Sequence, residues 1–202
     1  MTDQGKTSIT FCGGAGTVTG ANFLLTVPPE RRFLIDCGLF QGGRIFEDKN
    51  RDPFPYDPAR IEALFVTHAH LDHVGRIPKL VRDGFRGPIY STPPTKDLAE
   101  LILTDSLGVM EKEANSSHQS LLYREEDVTA AMSQWRTLDY REPLTLDGVG
   151  ITLYDAGHIL GSAMVEFTER GRKIIFTGDL GNSPAPLLND TARPIGPNYL
   201  VM

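Results

Sequence analysis

Short apolar runs separated by turn residues dominate the first part of the chain. Residues 8–11, 22–27 and 32–35 are three such runs, and the glycine-rich segment 13–16 marks a turn between the first two. Runs of this length, bounded by glycine and proline, are typical of strands and predict a β-meander. A further apolar run at residues 61–67 predicts a buried strand that leads directly into a histidine-rich segment.

The pattern then becomes mostly helical. Residues 77–81 predict a short helix with Pro78 in its first turn, where proline is tolerated, and residues 88–91 predict a strand. A longer helix is predicted from Thr95 as its cap. Its apolar face is predicted to hold Leu98, Leu101, Ile102 and Val109.

A second long helix is predicted over residues 124–135, because acidic residues at its start favour the positive end of the helix dipole. Its apolar positions are Val128, Ala131, Met132 and Trp135. Residues 114–119, between the two long helices, are polar and predict a loop. Strands are predicted again at residues 151–154, 163–167, 173–177 and 199–202. This mixture predicts an α/β fold, and a chain that ends within a strand is expected to be a fragment of something longer.

Composition excludes disordered and fibrous classes. Of the 202 residues, 40% are hydrophobic and 23% are charged, and the 20 Gly and 14 Pro indicate many turns. No leader with an apolar core precedes the first strand, and no apolar run approaches the ~20 residues of a membrane helix. We therefore expect a soluble, cytoplasmic protein with no membrane partner. The net charge of -6 is opposite to that of proteins that bind nucleic acid by neutralising phosphates, although a local basic face or bound metal could outweigh it.

The two cysteines, Cys12 and Cys37, form no CxxC pair, which favours a reducing compartment. Both are predicted to be buried structural thiols. Cys37 lies beside Asp36, a candidate site residue, so a metal-ligand or redox role stays open for it.

The candidate chemistry lies in six consecutive residues that contain His68, His70, Asp72 and His73. Imidazole nitrogen and carboxylate oxygen are zinc ligands, and catalytic zinc sites leave a position open for water. Four ligands are too many for one open site, which suggests two ions. Solvated loop histidines are the alternative, but three of the chain's five histidines would then cluster by accident.

Three more residues are weak candidates when each is taken alone. His158 lies on a predicted loop between glycines, and a lone histidine is more often structural. Asp179 also follows a predicted strand, where an Asx turn is its ordinary role. Asp36 ends a predicted strand and by itself indicates a turn.

Together, these residues resemble a known family. The segment Thr67-His68-Ala69-His70-Leu71-Asp72-His73 is similar to the HxHxDH signature of the metallo-β-lactamase superfamily, and Asp36, His158 and Asp179 follow that family's motif order. The resemblance implies a metallo-β-lactamase-like αββα sandwich. It also implies that His68, His70 and His158 hold one Zn²⁺, that Asp72 and His73 hold a second, and that Asp179 bridges the two. Asp72 would also orient or deprotonate the attacking water, and Asp36 would orient a ligand by hydrogen bonding.

The segment 157–163, Gly-His-Ile-Leu-Gly-Ser-Ala, resembles the GHxLGSA form of the β-CASP branch, which processes nucleic acids. This implies an RNA substrate and phosphodiester hydrolysis. Residues 1–202 would then be the N-terminal portion of a split catalytic domain, with the β-CASP insert and the C-terminal remainder absent. Cleavage internally or from an end, DNA as a substrate, and a homo-oligomer all stay open.

Two other functions are alternatives: hydrolysis of thioesters or lactams at the same site, and a metal-poor module without turnover. The glycine run at residues 12–20 lacks the Lys-Ser/Thr of a phosphate loop and predicts a hairpin or a loop at the substrate edge. His118 fits no motif and is expected to be exposed. Four basic residues flank the histidine cluster: Arg76, Lys79, Arg82 and Arg86. We interpret them as a solvated helix face, and contact with a phosphate backbone is the alternative.

Overall fold

The computed structural model describes residues 5–43, 48–117 and 120–202, with the side chains of 113 and 115–117 excepted. Two sheets form in these ranges. Sheet 1 contains β1 (Ser8–Gly13), β2 (Asn22–Val27), β3 (Arg31–Ile35), β4 (Ala63–Phe65), β5 (Ile89–Ser91) and β6 (Trp135–Thr137). Sheet 2 contains β7 (Leu144–Leu146), β8 (Val149–Asp155), β9 (Ala163–Glu169), β10 (Arg172–Phe176) and β11 (Tyr199–Val201). The helices are α1 (Leu71–Val74), α2 (Ile77–Arg82), α3 (Pro93–Ser117) and α4 (Glu125–Gln134), and 3₁₀ turns form at Lys49–Arg51 and Pro58–Arg60.

Sheet 1 has the order β1-β2-β3-β4-β5-β6. Its first three strands pair antiparallel, as the predicted meander requires, and β3 to β6 pair parallel. The helices α1 and α2 connect β4 to β5, and α3 and α4 connect β5 to β6. Sheet 2 has the order β11-β10-β9-β8-β7 and is antiparallel except for the parallel pair β10–β11.

Alternation of side chains along sheet 1 generates two cores, because successive residues of a strand point to opposite faces. In β4, Leu64 belongs to the core shared with the helices, whereas Ala63 and Phe65 belong to the core shared with sheet 2. In β3, Leu34 faces the helices, and Phe33 faces sheet 2. The described residues therefore stack as helices, sheet 1 and sheet 2, three layers of the predicted αββα sandwich, and the α/β class is confirmed.

The structure corrects three predictions about α3. The helix begins at Pro93, and Thr92 rather than Thr95 caps it, since the Thr92 hydroxyl accepts from the backbone N–H of Thr95 at 3.4 Å. It continues to Ser117, so residues 114–117 of the predicted loop are helical, and 118–119 lie outside the described residues. The predicted apolar face is wrong at Leu101 and Val109, which are exposed. Among the side chains of α3 that the structure describes, the buried ones are Thr95, Ala99, Leu103, Ser106 and Leu107.

The other differences concern short strands. The predicted strand at residues 61–67 shortens to Ala63–Phe65. Trp135 starts β6 instead of ending α4, and it is fixed there because its indole N–H donates to the Ser91 hydroxyl at 2.8 Å. The strand Leu144–Leu146 was not predicted. In the described ranges, no helix combines the length and the apolarity that crossing a membrane requires.

Phe65 lies at the centre of the core between the sheets. Its ring is fully buried, stacks on Tyr90 at 5.3 Å and meets Phe167 edge-on at 5.2 Å. We expect Phe65→Ala to lower the free energy of unfolding by about 3–5 kcal/mol, because it leaves a cavity between two sheets. Urea denaturation followed by circular dichroism measures this. Leu101→Ala, at an exposed position of α3, is the matched control and should change stability by less than about 0.5 kcal/mol.

Candidate metal centre

The candidate residues lie where strands end. His68 follows β4, and Asp72 and His73 lie in α1 immediately afterwards. His158 follows β8, and Asp179 follows β10. The carboxyl ends of strands in such sheets are the usual position of ligand sites, and this edge brings the predicted residues together from both sheets.

Four side chains converge on one point. His68 Nε2 lies 3.0 Å from His70 Nδ1, which lies 3.3 Å from His158 Nε2. Asp179 Oδ2 lies 3.5 Å from His158 Nε2 and 3.8 Å from His68 Nε2. One ligand atom from each of the four residues lies within 4.8 Å of all the others. Three imidazole nitrogens and a carboxylate oxygen in this arrangement fit a divalent metal ion.

The other carboxylate oxygen of Asp179 faces a second group of candidate ligands, His73 and Asp72. Its Oδ1 lies 3.5 Å from His73 Nε2, and His73 Nε2 lies 3.9 Å from Asp72 Oδ2. The two carboxylate oxygens of Asp179 therefore face different histidines. This is the placement that a bridging carboxylate needs, although the assignment of each ligand stays a prediction.

Asp36 is fully buried behind this second group. Its carboxylate accepts from the backbone N–H of Thr67, from the Thr67 hydroxyl and from His73 Nδ1, each at 2.8 Å. The backbone of Asp36 has a φ of 58°, a left-handed conformation that costs energy for a residue with a side chain. Its carbonyl accepts from the Asn22 side chain at 2.7 Å. Asp36 thus lies where it can fix the His73 ring and leave Nε2 directed at the site.

Thr67 is a site residue that the sequence analysis missed. Its hydroxyl donates to Asp36 and lies 3.1 Å from His68 Nδ1, so it can accept the proton on that nitrogen. This fixes the tautomer in which His68 Nε2 carries the free lone pair, as metal binding requires. The available signal was its position next to the histidine cluster.

Burial and neighbouring histidines keep His68 neutral. Burial lowers its pKa to about 2, with the nearby His73 adding to the effect and Asp179 opposing it. Burial also lowers the pKa of His158. Neutral imidazole is the ligand form, so both rings are ready to bind a cation.

The pKa of His73 shifts in the opposite direction. Burial lowers its pKa, but the carboxylates of Asp36, Asp179 and Asp72 outweigh burial and raise the pKa to about 10. The hydrogen bond from His73 is the main reason that the pKa of Asp179 falls to about 2. The carboxylates around His73 thus favour positive charge at Nε2, and a metal ion would replace the proton there.

Glycines allow the loops of the site to meet at backbone distance. A Cβ at Gly38 would lie 1.5 Å from the carbonyl oxygen of Asp72, and one at Gly181 would lie 1.6 Å from the carbonyl oxygen of Gly157. The loop that follows β3 therefore packs directly on α1, and the loop that carries Asp179 packs directly on the loop that carries His158. Only glycine fits at either contact.

The glycine run at residues 12–20 connects the antiparallel strands β1 and β2, so the predicted hairpin is confirmed. Gly14, Thr17 and Val18 line a cavity of about 220 Å³ that also contacts His73 and Asp179. The run thus forms one wall beside the candidate centre.

The basic residues near the cluster do not match either interpretation fully. Arg76 and Lys79 are buried, so both a solvated face and contact with substrate are wrong for them. Arg76 donates to the Gly38 carbonyl at 2.6 Å and lies over the Phe40 ring, and Lys79 pairs with Asp83 at 2.5 Å. Both cations therefore make their contacts within the folded chain. Arg82 and Arg86 donate to backbone carbonyls of Leu122, Val81 and Phe85.

The cysteine predictions are partly correct. Cys37 is fully buried, whereas Cys12 is only half-buried. Cys37 is not among the side chains that converge with His68 in the described residues. His118, predicted to be exposed, lies outside the described residues.

A sandwich of this kind, with histidines and aspartates converging at its strand ends, defines a metal-binding hydrolase-type scaffold. The metallo-beta-lactamase superfamily domain matches residues 24–194, and the chain belongs to this superfamily. Among solved structures, the metallo-beta-lactamase fold protein YhfI from Bacillus subtilis is similar with a TM-score of 0.51 and 16% identity, covering 86% of this chain and 62% of that one. Zn(2+)-bound PqqB from Methylobacterium extorquens has a TM-score of 0.52 and 12% identity, covering 80% and 53%. These likenesses show the fold.

Sequence relatives are more specific. A protein named ribonuclease TTHA0252, from Thermus thermophilus, is 43% identical over 182 residues, which are 90% of this chain and 40% of that protein. The transcription termination factor FttA of Methanosarcina mazei is 38% identical, covering 85% and 27%. Cleavage and polyadenylation specificity factor 73 of Drosophila melanogaster is 31% identical, covering 93% and 27%. The resemblance to the β-CASP branch is confirmed, and the chain spans two fifths or less of these relatives.

The contact at Gly38 can be tested. We expect Gly38→Ala to lower the divalent-metal content of the purified protein severalfold, because the new Cβ cannot fit without displacing the Asp72 backbone. Elemental analysis after dialysis measures the metal. Gly108→Ala is the matched control, since no atom lies within 4 Å of its added Cβ and alanine stabilises a helix interior by about 0.5–1 kcal/mol. An unchanged metal content in Gly38→Ala would contradict the packing argument.

The thiols give a second test. Burial raises the pKa of Cys37 to about 12 and that of Cys12 to about 11, so both are protonated at pH 8. Because the thiolate is the reactive form, we expect iodoacetamide to leave Cys37 unmodified in the folded protein and to modify both cysteines in urea. Mass spectrometry of the peptides measures this. Rapid modification of folded Cys37 would show that it is accessible.

Proposed function

We propose that the protein is a zinc-dependent hydrolase that cleaves RNA phosphodiester bonds. The observation that carries the proposal is the convergence of His158 and Asp179, remote in sequence, on His68 and His70. The substrate class is supported by relatives named ribonuclease and cleavage and polyadenylation specificity factor. Under this proposal the chain would be the N-terminal portion of a longer catalytic domain, and its two cysteines without a disulfide fit a cytoplasmic protein.

Two zinc ions are proposed because the site offers two sets of ligands. His68, His70 and His158 would hold one ion, Asp72 and His73 would hold the other, and Asp179 would bridge them. The split of the Asp179 oxygens between His158 and His73, each at 3.5 Å, supports the count of two. When bound, such a pair lowers the pKa of a shared water and neutralises charge on phosphoryl oxygens.

The side chains supply orientation and proton handling. Asp36 accepts a hydrogen bond from His73 Nδ1, so Nε2 is the His73 nitrogen that would bind the metal. Asp72 Oδ2, on the site side of His73, is placed to orient the attacking water or to accept its proton. Thr67 fixes His68 in the same way that Asp36 fixes His73.

The activity can be tested with the full-length protein, a labelled RNA and an acyl-thioester assayed in parallel. We expect RNA cleavage that a chelator abolishes and zinc restores. His70→Ala should reduce it by about 1,000-fold, because several kcal/mol of transition-state stabilisation are lost at about 1.4 kcal/mol per tenfold.

His118→Ala is the matched control, as His118 is the histidine that no motif includes. It should retain full activity. Undiminished RNA cleavage by His70→Ala would end the proposal, and turnover of the thioester alone would reassign the substrate. Failure of the wild-type protein to retain any zinc would favour a module without turnover.

A further inference from the structure

The start of α3 holds the loop that carries His158. The carbonyl oxygen of Gly161 accepts from the Thr92 hydroxyl at 2.6 Å and from the Thr95 hydroxyl at 2.9 Å. Thr92 and Thr95 are 1% and 0% exposed, so water does not compete for this carbonyl. Both lone pairs of a buried acceptor are therefore satisfied by two side chains of one helix end.

The contact is close as well as polar. Gly161 has a φ of +82°, and an added Cβ would lie 2.7 Å from the backbone N of Thr95 and 2.8 Å from Thr92 Oγ1. The backbone of the loop thus packs directly against the start of α3. Movement of Gly161 would break both hydrogen bonds.

A rigid turn connects Gly161 to His158. The Ser162 hydroxyl accepts from the backbone N–H groups of His158 and Ile159 at 3.0 and 3.2 Å, and the Ser162 N–H donates to the Ile159 carbonyl at 3.0 Å. These bonds close the turn on itself. The position of His158 is therefore tied to that of Gly161.

His158 depends on its backbone more than His68 and His73 do. The rings of His68 and His73 are each oriented through Nδ1, by Thr67 and by Asp36. Within the part of the chain that the structure describes, the polar and ring contacts of the His158 side chain are all with other site residues. The position of His158 is therefore set by the turn that carries it, and not by a hydrogen-bond partner of its ring.

We propose that Thr92 and Thr95 are positioning residues that hold His158 in the metal centre through the Gly161 carbonyl. The inference rests on the proposed metal site, but not on RNA as the substrate. Replacing both hydroxyls by methyl groups keeps the side-chain shape and leaves a buried carbonyl without donors, which is unfavourable. The turn then shifts to find other partners, and the His158 ring shifts with it.

The test is a double-mutant cycle on zinc affinity in the full-length protein, measured by competition with a chromophoric chelator. Thr92→Val/Thr95→Val should weaken zinc binding by about tenfold or more, the usual effect of losing a group that orients a ligand. In a His158→Ala background, the two valines should cause no further loss. Equal losses in both backgrounds would overturn the proposal, because the threonines would then act independently of His158.

Two variants separate positioning from folding. Thr92→Ser/Thr95→Ser keeps both hydroxyls and should bind zinc within about twofold of wild type, and Thr104→Val, at an exposed hydroxyl of the same helix, should do the same. The absorption spectrum of the cobalt-substituted protein should change in the valine pair and not in the serine pair. If the valine pair does not fold, Thr95→Val alone replaces it in the cycle.

The outcomes distinguish this inference from the proposed function. A wild-type protein that binds no zinc refutes both. One that binds zinc but does not cleave RNA refutes the substrate and leaves the cycle interpretable. Loss of zinc in the serine pair equal to that in the valine pair would contradict the role of the hydroxyls.

Discussion

A buried carboxylate with three hydrogen bonds connects the parts of this site. Asp36 lies in the interior, where an unpaired charge is very costly, and accepts two bonds from Thr67 and one from His73. These bonds join the end of β3 to the end of β4 and to α1. The left-handed backbone of Asp36 is a local cost that the surrounding hydrogen bonds offset. Any change that releases Asp36 would release His73 and the neighbouring His68 together.

Packing between the two sheets sets the distance between the site residues that each sheet contributes. His158 and Asp179 come from sheet 2, so they reach His68 only if the aromatic core around Phe65 and Phe167 holds the two sheets at the correct separation. A direct backbone bond adds to this, since the Ala163 N–H donates to the Thr67 carbonyl at 2.7 Å. Glycines at the loop contacts then allow the ligand loops to approach without side-chain obstruction. The site therefore depends on the core as a whole.

The residue pattern alone predicted the site residues that lie close together in sequence, and the family resemblance was needed for those that come together only in the folded chain. Three histidines and an aspartate within six residues are recognisable at once, whereas His158 and Asp179 gained meaning only through the family resemblance. Thr67, Thr92 and Thr95 were missed as site residues because a single threonine has no spacing that distinguishes it from a cap or a surface residue. The face of α3 was wrong for a related reason: its buried side includes Thr95 and Ser106, so hydrophobicity did not mark the face that packs.

The negative charges at the site give the proposed metal ions a role in substrate binding as well as in catalysis. Asp36, Asp72 and Asp179 surround His73, whereas the buried cations Arg76 and Lys79 contact the Gly38 carbonyl and the Asp83 carboxylate. Without metal, a phosphodiester would meet a carboxylate-rich centre on a chain of net charge -6. Two divalent cations would reverse the sign of that local field, and at close range a local field outweighs the net charge, which salt screens beyond about 8–10 Å. Under the proposed function, the same ions would therefore be needed to bind the RNA backbone and to cleave it.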